Sequence, residues 1–94
     1  MSDIDPNSRP ALAPGTRLQL DKVTGELVLL YPEGVLELNG TALAILNLCN
    51  GATTVNEIVT ALATEYEVEE AVLRADALDC LSNLLSRHLI VLTP

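Results

Sequence analysis

The sequence predicts an α+β fold in which a three-stranded antiparallel sheet at the N-terminal end is followed by three helices, a winged-helix-like arrangement. Three observations indicate it. Apolar and polar residues alternate in short runs before residue 39, apolar residues recur at helical spacing from about residue 40 to residue 87, and 94 residues have room for one core. Apolar residues make up 49% of the chain but Phe and Trp are absent, so this core is mainly aliphatic.

The first residues are predicted to form a flexible N-terminal arm. Residues 1–15 contain three prolines (Pro6, Pro10 and Pro14) and no periodic apolar pattern, and such a composition does not favour packed structure. Residues 16–94 are therefore predicted to form a single domain.

Two runs of residues predict the first strands of the sheet. Residues 17–21 alternate strictly and place Leu18 and Leu20 on one face, as in a half-exposed strand. After a loop that contains Gly25, residues 26–31 are apolar on both faces, which is typical of a central strand.

A turn and a short third strand follow. Pro32 presets the backbone for a turn and Gly34 tolerates a positive φ at its exit, so the chain is predicted to reverse here and continue as a strand over residues 35–38. In a simple meander this third strand is an edge, and its backbone N–H and C=O groups can pair with an extended chain. In the alternative, a helix or a second copy of the chain covers the edge.

Capping signals mark the starts of the first two helices. Asn39 is a suitable N-cap for a helix that begins near residue 40 and stops at Asn50-Gly51, and Thr54 with Glu57 forms a capping box for the second helix. The apolar faces predicted to enter the core are Ala42, Ile45, Leu46 and Cys49 in the first helix, and Val55, Ile58, Val59, Leu62 and Tyr66 in the second.

The third helix, predicted from about Glu69 to Arg87, has two neighbouring apolar stripes. One stripe is enough for core contact, so the other either widens that contact or lines a groove or a subunit interface. Beyond this helix, residues 89–92 form a short apolar run that either pairs as a final strand or closes the core. The stripe assigned to the core is Ala71, Ala75, Leu78, Leu81 and Leu85, and the surplus stripe is Leu73, Ala77, Cys80 and Leu84.

The charge of the chain argues against nucleic-acid and membrane partners. Thirteen acidic and five basic residues give a net charge of -8, which repels phosphate backbones and anionic membrane surfaces. A DNA-binding regulator is an alternative that the fold class permits, but the third helix lacks the basic face that a major-groove helix needs. The sequence shows no signal peptide, no membrane-length apolar run and no CxxC pair, so we expect a cytoplasmic protein.

Few residues are suited to catalysis. His88 is the only histidine and has no carboxylate spaced to orient it, and the glycines form no phosphate-binding motif. The glutamates of residues 65–70 are typical of a solvated helix start rather than of a metal site. Cys49 and Cys80 are expected to be inert packed thiols, since no basic neighbour in sequence lowers their pKa. We therefore expect a binding module and not an enzyme, without cofactor or metal.

The stretch from Leu29 to Gly51 resembles the PqqD family, the pyrroloquinoline quinone (PQQ) biosynthesis protein D. The resemblance extends over about Arg17 to Leu92, although Asn50 stands where the family pattern has Asp and the ending at 87–89 lacks the more typical Gly. It rests on the Tyr31-Pro32-Glu33-Gly34 turn, the Leu38-Asn39 cap with Thr41-Ala42, the Ile45-Leu46 pair, and Leu48-Cys49 before Asn50-Gly51.

This resemblance implies a peptide chaperone. The family binds the ribosomally made precursor peptide PqqA and presents it to the radical S-adenosylmethionine (SAM) enzyme PqqE, which links a Glu and a Tyr side chain of the peptide. Related recognition domains bind their leader peptide as an added antiparallel strand on the third strand, against the third helix. Residues 16–94 are thus expected to be a peptide-recognition domain.

The sequence therefore predicts that PqqA pairs with the third strand and that the third helix supplies a side-chain wall. Alternation places Leu36 and Leu38 toward the core, and Asp76 is expected to meet a basic residue of the peptide. The alternative is a homodimeric structural adaptor in which two copies bury or exchange the same edge. The predicted peptide-binding residues are Val35, Leu36, Glu37, Leu38, Leu73, Asp76, Ala77, Cys80 and Leu84.

Overall fold

The computed structural model describes residues 4–93. Three of its strands form an antiparallel sheet that precedes the three helices, so the predicted α+β arrangement is confirmed. The elements are β1 (Arg9–Leu12), β2 (Arg17–Leu20), β3 (Leu27–Tyr31), β4 (Gly34–Glu37), α1 (Gly40–Asn47), α2 (Val55–Tyr66), α3 (Glu70–Ser86) and β5 (Ile90–Thr93).

The three-stranded sheet has the order β2-β3-β4, with β3 in the centre. Leu29 of β3 is fully buried, as the apolar character of this strand on both faces predicts. The hairpin between β3 and β4 closes at the pair Tyr31 and Gly34, which leaves a two-residue turn at Pro32-Glu33. Gly34 does not have a positive φ, so the role predicted for it at the turn exit is wrong, because Gly34 is already the first residue of β4.

Both predicted helix caps are present. The Asn39 side chain accepts a hydrogen bond from the Ala42 N–H at 2.8 Å and so satisfies one free donor at the start of α1. At the start of α2, Thr54 and Glu57 exchange backbone-to-side-chain hydrogen bonds of 2.9 and 3.1 Å. These caps fix the first residues of α1 and α2.

Residues 9–12 form a strand where the sequence predicted a flexible arm. Strand β1 pairs antiparallel with β5, and the Val55 and Asn56 N–H groups at the start of α2 donate to the carbonyls of Ser8 and Pro6 at 3.0 Å each. The prediction of an arm without structure is therefore wrong for residues 4–15. Only one of its prolines, Pro10, lies within the strand, where β1 has β5 as its strand partner and an isolated bridge from Ala11 to Asn50 on its other side. The first three residues lie outside the described part of the chain.

Gly51 lets the loop after α1 pack closely against the β1–β5 sheet. Its N–H donates to the Pro10 carbonyl at 2.9 Å, and its φ of +80° lies in the left-handed region. A Cβ atom at this position would lie 3.2 Å from Thr93 Cγ2 and 3.4 Å from Ala11 Cβ. Gly51 thus meets a steric and a conformational requirement at once.

One aliphatic core joins the three-stranded sheet, the three helices and β5. Helix α2 lies against α3, while α1 packs against both. None of the helices within residues 4–93 is long and apolar enough to cross a membrane. The largest side chains that are almost completely buried come from β1, β3, the three helices and β5: Pro10, Leu29, Ile45, Leu46, Val55, Ile58, Val59, Leu81 and Ile90.

Candidate functional site

Strand β4 is an edge of the sheet, and the backbone groups of Val35 and Glu37 point away from β3. The Tyr31–Gly34 pair closes a two-residue turn and is therefore a hydrogen-bonded pair. Because hydrogen-bonded and non-hydrogen-bonded pairs alternate along an antiparallel ladder, the Leu30–Val35 pair is not hydrogen-bonded. The N–H and C=O groups of Val35, and by the same alternation those of Glu37, face outward.

The other hairpin of the sheet gives the same assignment. The Asp21 N–H donates to the Glu26 carbonyl at 2.7 Å, so this pair is hydrogen-bonded and the alternation runs on from it into β2 and β3. It directs the backbone groups of Leu30 toward β2 and those of Leu29 toward β4. Within residues 4–93, no backbone hydrogen bond outside the strand pairing involves Val35 or Glu37.

The side chains of β4 alternate as predicted. Leu36 and Leu38 pack against the core, whereas Val35 is 57% exposed and Glu37 is exposed. Leu38 itself follows the last residue of β4 and leads directly to the cap Asn39. The edge therefore offers its backbone outward and anchors its apolar side chains inward.

The rotation of α3 is different from the predicted one. Leu73, Ala77 and Leu84, assigned to a groove wall, are 8%, 0% and 3% exposed and belong to the core. Ala71 and Ala75, assigned to the core, are exposed. The assignment is thus wrong for Ala71 and Ala75 and for a groove wall of Leu73, Ala77 and Leu84, whereas Leu81 is buried and Leu78 and Leu85 pack against the core as predicted. Of the two roles left open for the surplus stripe, the structure shows the one that widens core contact.

Asp76 and Cys80 are the two predicted α3 residues that remain accessible, and they line one pocket. The pocket has a volume of about 290 Å³ and lies between α3 and the start of α1. Asn39, which follows Leu38, is part of its wall, so the pocket adjoins the end of the β4 edge. The full lining is Asn39, Thr41, Ala42, Ile45, Asp76, Asp79 and Cys80, and we call it the Asp76 pocket.

A second pocket, of about 320 Å³, was not predicted. It lies between α1, the end of α2 and the start of α3. Tyr66, assigned to the core stripe of α2, is 58% exposed at its mouth, so that assignment is wrong. The sequence feature that could have indicated this pocket is the apolar Val68, which stands between two glutamates just beyond the predicted apolar stripe of α2. This pocket is lined by Gly40, Thr41, Ala44, Leu62, Tyr66, Val68 and Leu73, and we call it the Tyr66 pocket.

Both thiols are poor nucleophiles. Burial, with a smaller effect of the nearby Cys80, raises the pKa of the Cys49 thiol to about 12. Burial and the charge of Asp79 also raise the pKa of Cys80. Since the thiolate is the reactive form, the Cys80 thiol on the wall of the Asp76 pocket is a weak nucleophile. Within residues 4–93, no three His, Cys, Asp or Glu side chains are grouped so that they could hold a metal ion.

Comparison with known proteins identifies relatives over almost the whole chain. The family model of coenzyme PQQ synthesis protein D (PqqD) matches residues 26–90. The chain is 37% identical over 90 residues to a PqqA binding protein of Xanthomonas axonopodis pv. citri, which covers 96% of this chain and 98% of the relative. It is 36% identical over 81 residues to the bifunctional coenzyme PQQ synthesis protein C/D of Methylorubrum extorquens, covering 86% of this chain and 22% of that protein.

Two solved structures are similar to this fold. One is the solution NMR structure of the PqqD truncation of Methylobacterium extorquens PqqCD, described as a functional, stand-alone recognition element for ribosomally synthesized and post-translationally modified peptides (RiPPs). It has a TM-score of 0.83 and 32% identity, and 96% of each chain is covered. The other is the crystal structure of PqqD from Xanthomonas campestris, with a TM-score of 0.59, 32% identity, and coverage of 92% of this chain and 96% of that one.

Proposed function

The chain belongs to the PqqD family, and we propose that it binds the precursor peptide PqqA in PQQ biosynthesis. The names of its relatives and its similarity to a RiPP recognition element support this proposal. The observation that carries it is the open edge of β4 beside the Asp76 pocket. An exposed edge with an adjoining pocket is what an extended peptide needs, because the edge binds its backbone and the pocket selects a side chain.

We propose that PqqA adds to β4 as an antiparallel strand. Val35 and Glu37 each offer one N–H donor and one C=O acceptor to the peptide backbone. Leu36 and Leu38 hold the edge in place by packing against the core. Their contribution to binding is therefore the position of the strand and not direct contact.

We assign the direct contacts of α3 to Asp76 and Cys80. Both line the pocket next to the end of β4, and the carboxylates of Asp76 and Asp79 there favour a basic side chain of the peptide. Leu73, Ala77 and Leu84 remain part of the proposal in a supporting role, because they are buried behind this surface. Substitutions at these three positions are expected to act through stability.

We further propose that the bound peptide is presented to the radical SAM enzyme PqqE and that this chain performs no catalysis itself. The bifunctional relative carries a matching segment within a much longer PQQ synthesis protein, which supports a role beside an enzyme of the same biosynthesis. We expect the protein to act in the cytoplasm, where a ribosomally made peptide is formed.

Titration of the ¹⁵N-labelled protein with PqqA tests the site. We expect the largest chemical-shift changes at Val35 and Glu37, together with Thr41 and Cys80 of the Asp76 pocket. Strand β2 is the built-in control because it is the other edge of the same sheet. Shift changes confined to β2, or none on β4, would refute strand addition at β4.

A homodimeric adaptor is a second candidate, and the exposed edge with its 57% exposed Val35 favours it. A second copy can pair with such an edge as readily as a peptide can. Light scattering over a range of protein concentrations, with and without PqqA, separates the two functions. A dimer that the peptide neither dissociates nor binds favours the adaptor.

A further inference from the structure

A second exposed apolar surface lies where α2 ends and α3 begins. Tyr66, Val68 and Val72 are 58%, 47% and 57% exposed, and the first two also line the Tyr66 pocket. Large apolar side chains that are exposed together beside an apolar pocket are characteristic of an interaction surface. We call these three residues, together with the Tyr66 pocket, the α2–α3 corner.

Three glutamates alternate in sequence with Tyr66 and Val68 of the corner. Glu65, Glu67 and Glu69 are exposed, and none of them forms an ion pair within residues 4–93. The nearby Arg74 is already engaged, with Asn56 Oδ1 at 3.0 Å and Glu70 at 3.8 Å. An apolar surface with free carboxylates next to it in sequence is complementary to a positively charged segment that carries a bulky apolar side chain.

The backbone conformation of Glu67 is unfavourable for a glutamate, so stability alone does not explain why a glutamate stands at this position. Glu67 is the C-cap of α2 and has φ 54° and ψ 44°, the left-handed conformation in which glycine is preferred. The chain reverses there with the Val68 N–H bonded to the Ala63 carbonyl at 3.2 Å. A glutamate at this position has a conformational cost, yet it keeps an exposed carboxylate between Tyr66 and Val68 in sequence.

The corner lies next to the proposed peptide path and shares with it Thr41 and the buried Leu73. Thr41 lines both the Asp76 pocket and the Tyr66 pocket, so the two are neighbours along the start of α1. None of the residues of β4 lines the Tyr66 pocket. A protein docked at the corner therefore meets a peptide held on β4 and leaves the β4 edge free.

We infer that the α2–α3 corner docks a positively charged, apolar segment of the enzyme that receives the peptide. The inference rests on the proposed function, because it takes PqqA to occupy β4 and PqqE to be the receiving enzyme. The apolar side chain of that segment enters the Tyr66 pocket, and its basic residues meet Glu65, Glu67 and Glu69.

Two variants of the full chain test the inference, with the affinities for purified PqqE and for PqqA measured separately by calorimetry. Tyr66→Ser combined with Val72→Ser is expected to weaken PqqE binding by about tenfold. Glu67→Gly is expected to weaken it by about threefold and to reduce its salt dependence, while raising the melting temperature of the protein. PqqA affinity is expected to stay unchanged in both variants.

Matched control substitutions lie in the turn between β2 and β3. Val23→Ser removes an apolar side chain that is 93% exposed, and Glu26→Gln removes an exposed carboxylate, so neither is expected to change PqqE affinity. If the double variant does not fold, Glu67→Gly still tests the corner, since its expected stability gain and binding loss have opposite signs. A role of Glu67 in folding alone does not produce that combination.

Each result decides between the two proposals. Unchanged PqqE affinity in both corner variants, with normal PqqA binding, overturns the corner and leaves peptide binding standing. A parallel loss of PqqA affinity in folded variants also overturns it, because the corner is then part of the peptide site. A wild-type protein that binds PqqA but not PqqE overturns the corner as well, whereas failure to bind PqqA overturns the proposed function.

Discussion

Replacing Val35 by proline is expected to weaken PqqA binding while the fold is retained. Proline has no N–H, and the N–H of Val35 faces away from β3, so the substitution removes one hydrogen bond to the peptide and none within the sheet. One backbone hydrogen bond contributes about 1 kcal/mol net, which corresponds to a dissociation constant about fivefold higher. Glu37→Pro, at the next outward position, is expected to cause a similar loss.

Two neighbouring substitutions separate the backbone effect from other effects. Val35→Ala shortens the same side chain but keeps the N–H, so its PqqA affinity is expected to stay closer to wild type. Leu36→Pro removes an N–H that bonds to β3 together with a packed side chain, and is expected to destabilise the protein by about 3 kcal/mol or more. Calorimetric titration with PqqA gives the affinity, and thermal unfolding gives the stability.

The decisive comparison is between Val35→Pro and Leu18→Pro. Alternation gives Leu18 of β2 an outward N–H as well, so this variant removes an N–H from the other edge, together with a side chain that packs against the core. Normal PqqA affinity in a folded Val35→Pro variant, or a fivefold loss in Leu18→Pro instead, would refute peptide addition at β4.

Three further predictions concern stability and accessibility. Gly51→Ala is expected to lower the midpoint of urea unfolding more than Gly25→Ala does. Both glycines have a positive φ, but only Gly51 has neighbouring atoms that an added Cβ would crowd. Equal effects of the two substitutions would contradict the packing described for the loop after α1. The pKa of the Glu57 carboxyl lies below its ordinary value of 4.5 because the carboxylate accepts the N–H of Thr54, its partner in the capping box. The stabilisation by Glu57 is therefore present above the unfolded pKa and is lost as pH falls through the folded pKa. The melting temperature of wild type relative to that of Glu57→Gln is expected to fall in that acid range, and a difference that stays constant with pH would argue against the box. Labelling by a disulfide reagent at about pH 8 is expected to be slow at both cysteines because their thiol pKa values are raised, and faster at Cys80 than at the more buried Cys49. Bound PqqA is expected to slow the labelling of Cys80 further. An unchanged labelling rate of Cys80 in the presence of the peptide would remove this residue from the site.

Features that depend on neighbours in sequence were predictable. Asn39 and the Thr54–Glu57 box need partners only three residues away, and the β3–β4 hairpin needs only its own turn, so all three follow from local patterns. Strand β1 is the opposite case. Its partner β5 lies at the other end of the chain, and no local pattern in residues 9–12 indicates that pairing.

The rotation of α3 was harder to predict because its two apolar stripes adjoin. Leu81 was assigned to one stripe and Leu84 to the other, yet both are buried in the same core. Side-chain size distinguishes the buried Leu73 and Leu84 from the exposed Ala71 and Ala75, but it does not account for Ala77, which is completely buried. The observed rotation draws buried residues from both stripes and leaves Asp76 exposed and Cys80 partly exposed.

The length of β4 limits what backbone pairing can contribute to the proposed peptide binding. The strand has four residues, and the outward groups of Val35 and Glu37 offer two N–H donors and two C=O acceptors to a peptide. At about 1 kcal/mol each, these hydrogen bonds contribute about 4 kcal/mol, which corresponds to a dissociation constant near 1 mM before the entropy cost of ordering the peptide. Backbone pairing on this edge is therefore too weak to capture a peptide by itself and cannot distinguish one sequence from another. Tight and selective binding has to come from side chains, and the Asp76 pocket is the concave surface that adjoins the end of the strand.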